Sequence, residues 1–309
     1  MADLITFSHV SKDFEAGSAV ADLNLQIQAG ELFVLVGESG SGKTTTLKMI
    51  NRLIEPTSGE IAFDGKPLQT YPVRKLRWEI GYVLQQIALF PNMTVGQNIG
   101  LIPELRGWSK GDISTRVDEL LNLVGLPATQ YRDRLPAALS GGEQQRVGIL
   151  RAFAGRPPVV LMDEPFSALD PLSRNQLQEL VLQLHTELKM TLVFVTHDMN
   201  EALRLGQRIG VMRDGKMVQC ATPMQIAKAP ATDWVASFFA GASRVLLDTP
   251  LRELAAFGTP ADAGTTPGTQ KLRKILPAVA AGKNVTVAAE SGTFKLDAQA
   301  VLQFLAAKA

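Results

Sequence analysis

The sequence predicts an α/β fold: a mostly parallel, doubly wound sheet with an antiparallel β layer and a helical insert, followed by a small α+β tail. Three observations carry this. The apolar runs 32–36, 158–162 and 192–195 are continuous, as in strands covered on both faces. Between the second and third, Leu177, Leu180, Val181, Leu184 and Leu188 recur at helical spacing, which suits a helix lying on that sheet. Leu23, Leu25 and Ile27 alternate with Asn24, Gln26 and Gln28, the period of a half-buried strand outside the parallel core.

In chain order, the alternating strand ends at Ala29-Gly30 and the first buried run follows. "EIAFDGKPL" is a hairpin turning at Asp64-Gly65, because Asp and Gly tolerate the backbone a tight turn requires. From about 92 to 148 buried strands disappear and "TRVDELLNLVGL" places Val117, Leu120, Leu121 and Val124 on one helical face. The spacing predicts a helical insert there, inside a main domain of residues 1–240. "GTPADAGTTPGTQ" has the Gly, Pro and Thr density of a linker, assigned to 241–270. In 271–309 a short helix, a hairpin around Ser291-Gly292 and a closing helix are expected.

Composition excludes several classes. With 46% hydrophobic residues, the 309-residue chain can build real cores. Its 31 basic and 30 acidic residues leave a net charge of +1, so no strong field gathers nucleic acid or anionic lipid. A single cysteine, Cys220, rules out an intramolecular disulfide framework and a thiolate zinc cluster, and suits a reducing compartment. "MADLITFSHVSKDF" lacks the basic end and apolar run of a signal peptide. No apolar run approaches the roughly 18 to 20 residues of a membrane span, so membrane work would need partner subunits.

The chemistry begins at "GESGSGKT", residues 37–44, which fits the phosphate-loop pattern between a strand and a helical run. Gly37, Gly40 and Gly42 let successive amides converge on phosphate, with Ser39, Ser41 and Thr45 alongside. Lys43 neutralises β/γ oxygens and Thr44 ligates magnesium. "PVVLMDEP" delivers Asp163 and Glu164 to a strand's carboxyl end, where ligands bind in open α/β sheets. Asp163 suits Mg²⁺ and Glu164 a general base. His197 ends another buried run, and Gln85 follows "IGYVL", where its amide can meet magnesium or the attacking water. "LSGGEQQR", residues 139–146, is a second loop entering a helix: Ser140, Gly141 and Gly142 form an anion site with no lysine.

The ordered set "GESGSGKT", Gln85, "LSGGEQQR", "VVLMDEP", "SALD" and His197 resembles the nucleotide-binding subunit of an ATP-binding cassette transporter across about residues 3–240. The resemblance implies ATP and Mg²⁺ as cofactors and a head-to-tail pair of cassettes, each offering its serine-glycine segment to the partner's ATP. It also implies adenine stacking on Phe14, coupling of the two sites through Ser167 to Asp170, and permease contact around 85–97. Two departures stand out: Phe14 replaces a common tyrosine, keeping the stacking face. Glu143 replaces the usual glutamine; it can accept from a ribose hydroxyl but adds negative charge near phosphate.

"TTTLKMINRLIEPTSGEI", "GYVLQQIALFP" and "WVASFF" are similar in wording to ATPases of osmoprotectant importers, which move glycine betaine, choline or carnitine. That implies a subunit on the cytoplasmic face of the plasma membrane, held by transmembrane permease subunits and served indirectly by an extracytoplasmic substrate-binding protein, with no nucleic acid partner. Importers of methionine or polar amino acids are the near alternative; cassettes acting on nucleic acid or the ribosome are a remoter one. Relatives in this group carry paired cystathionine-β-synthase-type modules. Residues 271–309 leave room for one shortened module, or for a small cap or dimerisation tail without a ligand.

Overall fold

The computed structural model describes residues 3–85, 88–167, 169–239, 249–280, 282–290, 292–297, 300, 301 and 304. The chain divides into two compact units: Met1–His197 with Gln207–Ala221, and Asp198–Gly206 with Thr222–Ala309. The expected boundary near residue 240 therefore moves. The segment 198–206 and everything from Thr222 group with the tail.

The first unit opens with β1 (Asp3–Phe14) and β2 (Gly17–Gln28), an antiparallel pair in which Phe7 faces Leu25. The sequence shows no clean period over β1, because four register irregularities break its alternation. It pairs on its other side with β4 (Ser58–Phe63), which turns through Asp64-Gly65 into β5 (Lys66–Pro67). The order β2-β1-β4-β5 is the antiparallel layer.

The larger sheet holds β3 (Leu32–Val36), β6 (Ile80–Val83), β7 (Val159–Asp163), β8 (Thr191–Thr196), β9 (Arg208–Arg213) and β10 (Lys216–Ala221). Its order is β10-β9-β3-β8-β7-β6, parallel except for the β9/β10 hairpin. Every residue of β3, β7 and β8 is buried, which is why their sequences read as unbroken apolar runs. Phe7, Leu25 and Ile61 of the antiparallel layer share one core with Phe33, Leu161 and Val193 of the larger sheet and with Leu47 and Ile50 of α1 (Lys43–Ile50). Each such side chain contributes roughly 1.5–3 kcal/mol by leaving water.

Four helices form the insert: α3 (Val95–Leu105), α4 (Lys110–Leu123), α5 (Ala128–Tyr131) and α6 (Gly141–Ala154), after a short α2 (Val73–Trp78) that precedes β6. The expected end at 148 falls inside α6. Its C-terminal half buries Ile149, Leu150 and Phe153 and packs beside β6, so one helix spans insert and sheet. α7 (Pro171–Leu188) is the helix predicted between β7 and β8.

The second unit includes α8 (Met199–Leu205) and α9 (Pro223–Lys228). Its own core comprises Leu251, Leu254, Leu272, Val287, Phe294, Leu296 and Phe304. Around it, β11 (Thr259–Pro260), β14 (Gly292–Leu296), β13 (Val285–Ala289) and β12 (Thr266–Pro267) lie side by side in that order. The expected linker 241–270 is thus corrected from residue 249 onward; 241–248 lie outside the described residues. The glycines there serve close packing: a Cβ on Gly258 would stand 2.7 Å from the Phe294 ring, and one on Gly264 2.5 Å from the Ala288 amide nitrogen. The short helix Leu276–Ala280 and the β13/β14 hairpin match expectation, while much of the closing helix lies outside the described residues.

Candidate functional site

The phosphate loop leaves β3 and enters α1 through residues that only glycine fits. Gly42 adopts φ 98° as the N-cap, and a Cβ there would meet the Ala19 carbonyl oxygen at 2.4 Å. A Cβ on Gly37 would meet the Met212 carbonyl oxygen at 2.2 Å. Lys43 is buried, and its Nζ donates to the carbonyls of Gly37 and Glu38, both at 2.8 Å, and to Ser41 Oγ at 3.4 Å. Desolvation holds its ammonium below the usual lysine range, opposed by the charges of Glu164 and Asp163. An incoming phosphate would supply further countercharge. Ser39 and Gly40 sit on the exposed lip, and Thr45 is half-buried on the first turn of α1.

At the end of β7, Asp163 Oδ1 accepts from Thr44 Oγ1 at 2.9 Å, and its other oxygen from Tyr82 at 3.4 Å. Burial, then the Asp163 charge, keeps the Tyr82 phenol protonated. The hydroxyl and carboxylate oxygens that meet here are the hard donors Mg²⁺ prefers. Among the described residues there is no cluster of three or more His, Cys, Asp or Glu that could hold a metal ion.

Glu164 follows in the left-handed region at φ 45°, a conformation costing roughly 1–2 kcal/mol for a non-glycine residue. Its backbone amide donates to Val195 of β8 at 3.0 Å, which fixes that turn. Its carboxylate lies 3.0 Å from His197 Nδ1. An ionised carboxylate only accepts, so Nδ1 then carries the ring proton. Gln85 does not reach this pair directly; its amide donates to Ser167 Oγ at 3.4 Å, and Ser167 in turn donates to the Glu164 carbonyl at 3.1 Å.

Ser140 caps α6 and forms a reciprocal box with Glu143: the Glu143 amide donates to Ser140 Oγ at 3.3 Å, and Glu143 Oε2 accepts from Ser140 N at 2.7 Å. Gly141 and Gly142 have open space where a Cβ would project, so their role is not steric within this chain. Asp170 caps α7, accepting from the amides of Leu172 and Ser173 at 3.1 Å; hydrogen bonds from the Ser173 hydroxyl, then from the Ser173 and Leu172 amides, hold its carboxyl below the ordinary carboxylate range. The rest of the expected coupling stretch includes Ala168, which lies outside the described residues. Phe14 is 48% exposed, with the Lys12 ammonium 5.0 Å from its ring centre.

The structure therefore gathers Lys43, Thr44, Asp163, Glu164 and His197 at the carboxyl edge of β3, β7 and β8. Sequence reasoning missed Tyr82, Tyr131 and Gln145. Gln145 is buried and donates to the Pro165 carbonyl at 2.7 Å, tying α6 to the turn after Glu164. Tyr82 is half-buried one residue before the end of β6; its partner Asp163, like those of Tyr131 and Gln145, depends on long-range packing.

Residues 20–167 match the family described as ABC transporter. The chain is 52% identical over 236 residues to the glycine betaine uptake system ATP-binding protein YehX of Escherichia coli (strain K12), covering 76% of each chain. It is 50% identical to the choline transport ATP-binding protein OpuBA of Bacillus subtilis and to the carnitine transport ATP-binding protein OpuCA of Listeria monocytogenes; each match covers 76% of this chain. The matches span 62% and 59% of those two longer relatives. Among solved structures, the dimeric ATP-binding cassette MJ0796 bound to ADP and Pi superposes with TM-score 0.63 at 34% identity, covering 71% of this chain and 98% of that one. Identity of this extent, over a sheet edge carrying a phosphate loop and paired acids, means that the chain belongs to the ATP-binding cassette (ABC) transporter family.

Proposed function

We propose that this chain is the ATP-hydrolysing subunit of an importer for an osmoprotectant such as glycine betaine, choline or carnitine. The observation that carries the ATPase reading is the convergence of Thr44, Asp163, Glu164 and His197 beside Lys43. In that reading the phosphate-loop amides and Lys43 bind the β/γ-phosphates, and Thr44 and Asp163 would hold Mg²⁺, which would supply charge neutralisation there. Glu164 takes the proton of the attacking water, with His197 orienting it. Gln85, through Ser167, senses the same turn. Phe14 stacks on adenine, and Ser140, Gly141 and Gly142 complete the site of a second copy, a reading supported by the dimeric cassettes among the structural relatives.

The importer reading rests on the relatives' names. It is also supported by a groove of about 370 Å³ lined by Trp78, Leu84, Phe90, Leu101, Ile102 and Arg151, in which Leu84 and Phe90 are exposed apolar side chains suited to a permease helix. No helix among the described residues is long and apolar enough to cross a membrane. Attachment to the cytoplasmic membrane face would therefore run through permease subunits. The test is uptake: cells expressing this subunit with its permease and binding protein should accumulate labelled glycine betaine, choline or carnitine at high osmolarity, and Glu164→Gln should abolish it. Uptake of methionine or another amino acid instead would move the protein to the alternative group.

A further inference from the structure

Glu143 stands at the third position of α6, and its carboxylate accepts three hydrogen bonds from two residues. Tyr131 donates its phenol to Oε1 at 2.7 Å, while Ser140 donates both its amide, at 2.7 Å, and its hydroxyl, at 2.8 Å, to Oε2. A serine hydroxyl has one proton to give. In this chain it is given to Glu143, and Ser140 Oγ accepts from the Glu143 amide at 3.3 Å. The Tyr131 bond is the largest influence holding the Glu143 carboxyl below its ordinary range, ahead of the Ser140 bonds, so the charged form is favoured. Tyr131 is in turn capped by Arg134, whose guanidinium lies 4.3 Å from the ring centre.

We propose that Tyr131 is a positioning residue that clamps Glu143 onto Ser140, so that the Ser140 hydroxyl must exchange a carboxylate for the partner's γ-phosphate each time the dimer closes. The clamp rests on the proposed shared site, and it works against closure in two ways. It occupies the only hydroxyl proton at that helix start, and it puts a carboxylate where an anion must dock. Glutamine at this position could accept from Ser140 N or Tyr131 through its oxygen and donate to Ser140 Oγ through its amide, releasing the hydroxyl proton. Tyr131 belongs to the short α5, far from the phosphate loop in sequence, and acts only through Glu143.

The test uses the full-length subunit and four proteins: wild type, Glu143→Gln, Tyr131→Phe and the double variant, each first checked for an unaltered thermal melt. Steady-state ATPase and ATP-driven dimerisation in the Glu164→Gln background are both read. Glu143→Gln should lower KM for ATP about three- to tenfold, the range for exchanging a charge-assisted hydrogen bond, with a smaller change in kcat. Tyr131→Phe should lower it less, because the carboxylate keeps Ser140 but loses the bond that holds it there. In the double variant, Tyr131→Phe should add nothing, since its effect passes through the carboxylate. An unchanged or raised KM for Glu143→Gln, or a Tyr131→Phe shift of equal size in both backgrounds, would overturn the clamp. Ser140→Arg is the separate control: if its ATPase and dimerisation match wild type, the shared-site reading fails. If it is inactive while the clamp variants show no shift, only the clamp fails.

Discussion

His197 Nδ1 stands 3.0 Å from Glu164 Oε2, joining the ends of two adjacent parallel strands across a turn whose glutamate is in the left-handed region. The pair has the geometry of a base and the group that orients it. A turn held against backbone strain is a costly way to place an ordinary surface acid.

Glu164→Gln is therefore expected to lower ATP turnover by about 10² to 10⁴ while leaving nucleotide bound, because a general base contributes on that scale and the phosphate loop is untouched. His197→Ala removes only the orienting group, and a smaller loss of kcat is expected. Single-turnover hydrolysis with a parallel nucleotide-retention assay checks both. Near-normal turnover of Glu164→Gln would remove the carboxylate from the chemistry.

Lys43 and Ser140 belong to different loops of one chain, and they are expected to serve different nucleotides. Lys43→Ala and Ser140→Arg should each be inactive alone. Mixed in equal amounts, they should regain part of the activity, because a mixed dimer keeps one site with both halves intact. ATPase titration of one variant into the other reads this. Wild-type activity of Ser140→Arg by itself would contradict a shared site.

Gly42→Ala should fold poorly. It places a Cβ 2.4 Å from the Ala19 carbonyl oxygen on a backbone at φ 98°, so left-handed strain of about 1–2 kcal/mol adds to a steric cost of about 1–3 kcal/mol. A thermal melt several degrees lower, with ATP affinity reduced, is the expected result. Gly141→Ala, with open space at its Cβ, should melt like wild type.

Removing residues 241–309 deletes the entire core around Leu254 and Phe294 and no residue of the core around Phe33 and Leu161. ATP binding and basal hydrolysis should persist in the truncated chain. Dimer stability, or the dependence of uptake on osmolarity, should change, as expected of a regulatory or assembly module. Equilibrium nucleotide binding, sedimentation and vesicle uptake across a salt series separate these outcomes. A soluble, folded truncation that cannot bind ATP would place the tail within the catalytic fold.

The strands at 32–36, 158–162 and 192–195, the helix of Leu177 to Leu188 and the phosphate loop were legible because periodicity and glycine placement act over a few residues. What pairs with what is a long-range matter. Thr44 meets Asp163 across 119 residues only because β3 and β7 flank β8 in register. β1 escaped notice because bulges break its alternation, and the glycines of 258–268 read as a linker although they let chains pack closely. Most of all, sequence alone made Glu143 a stray charge beside phosphate. The tertiary fold decided that Tyr131, twelve residues earlier, would hold that carboxylate against Ser140. A hydrogen-bond partner from another element depends on where the whole backbone puts it, and no local pattern encodes that.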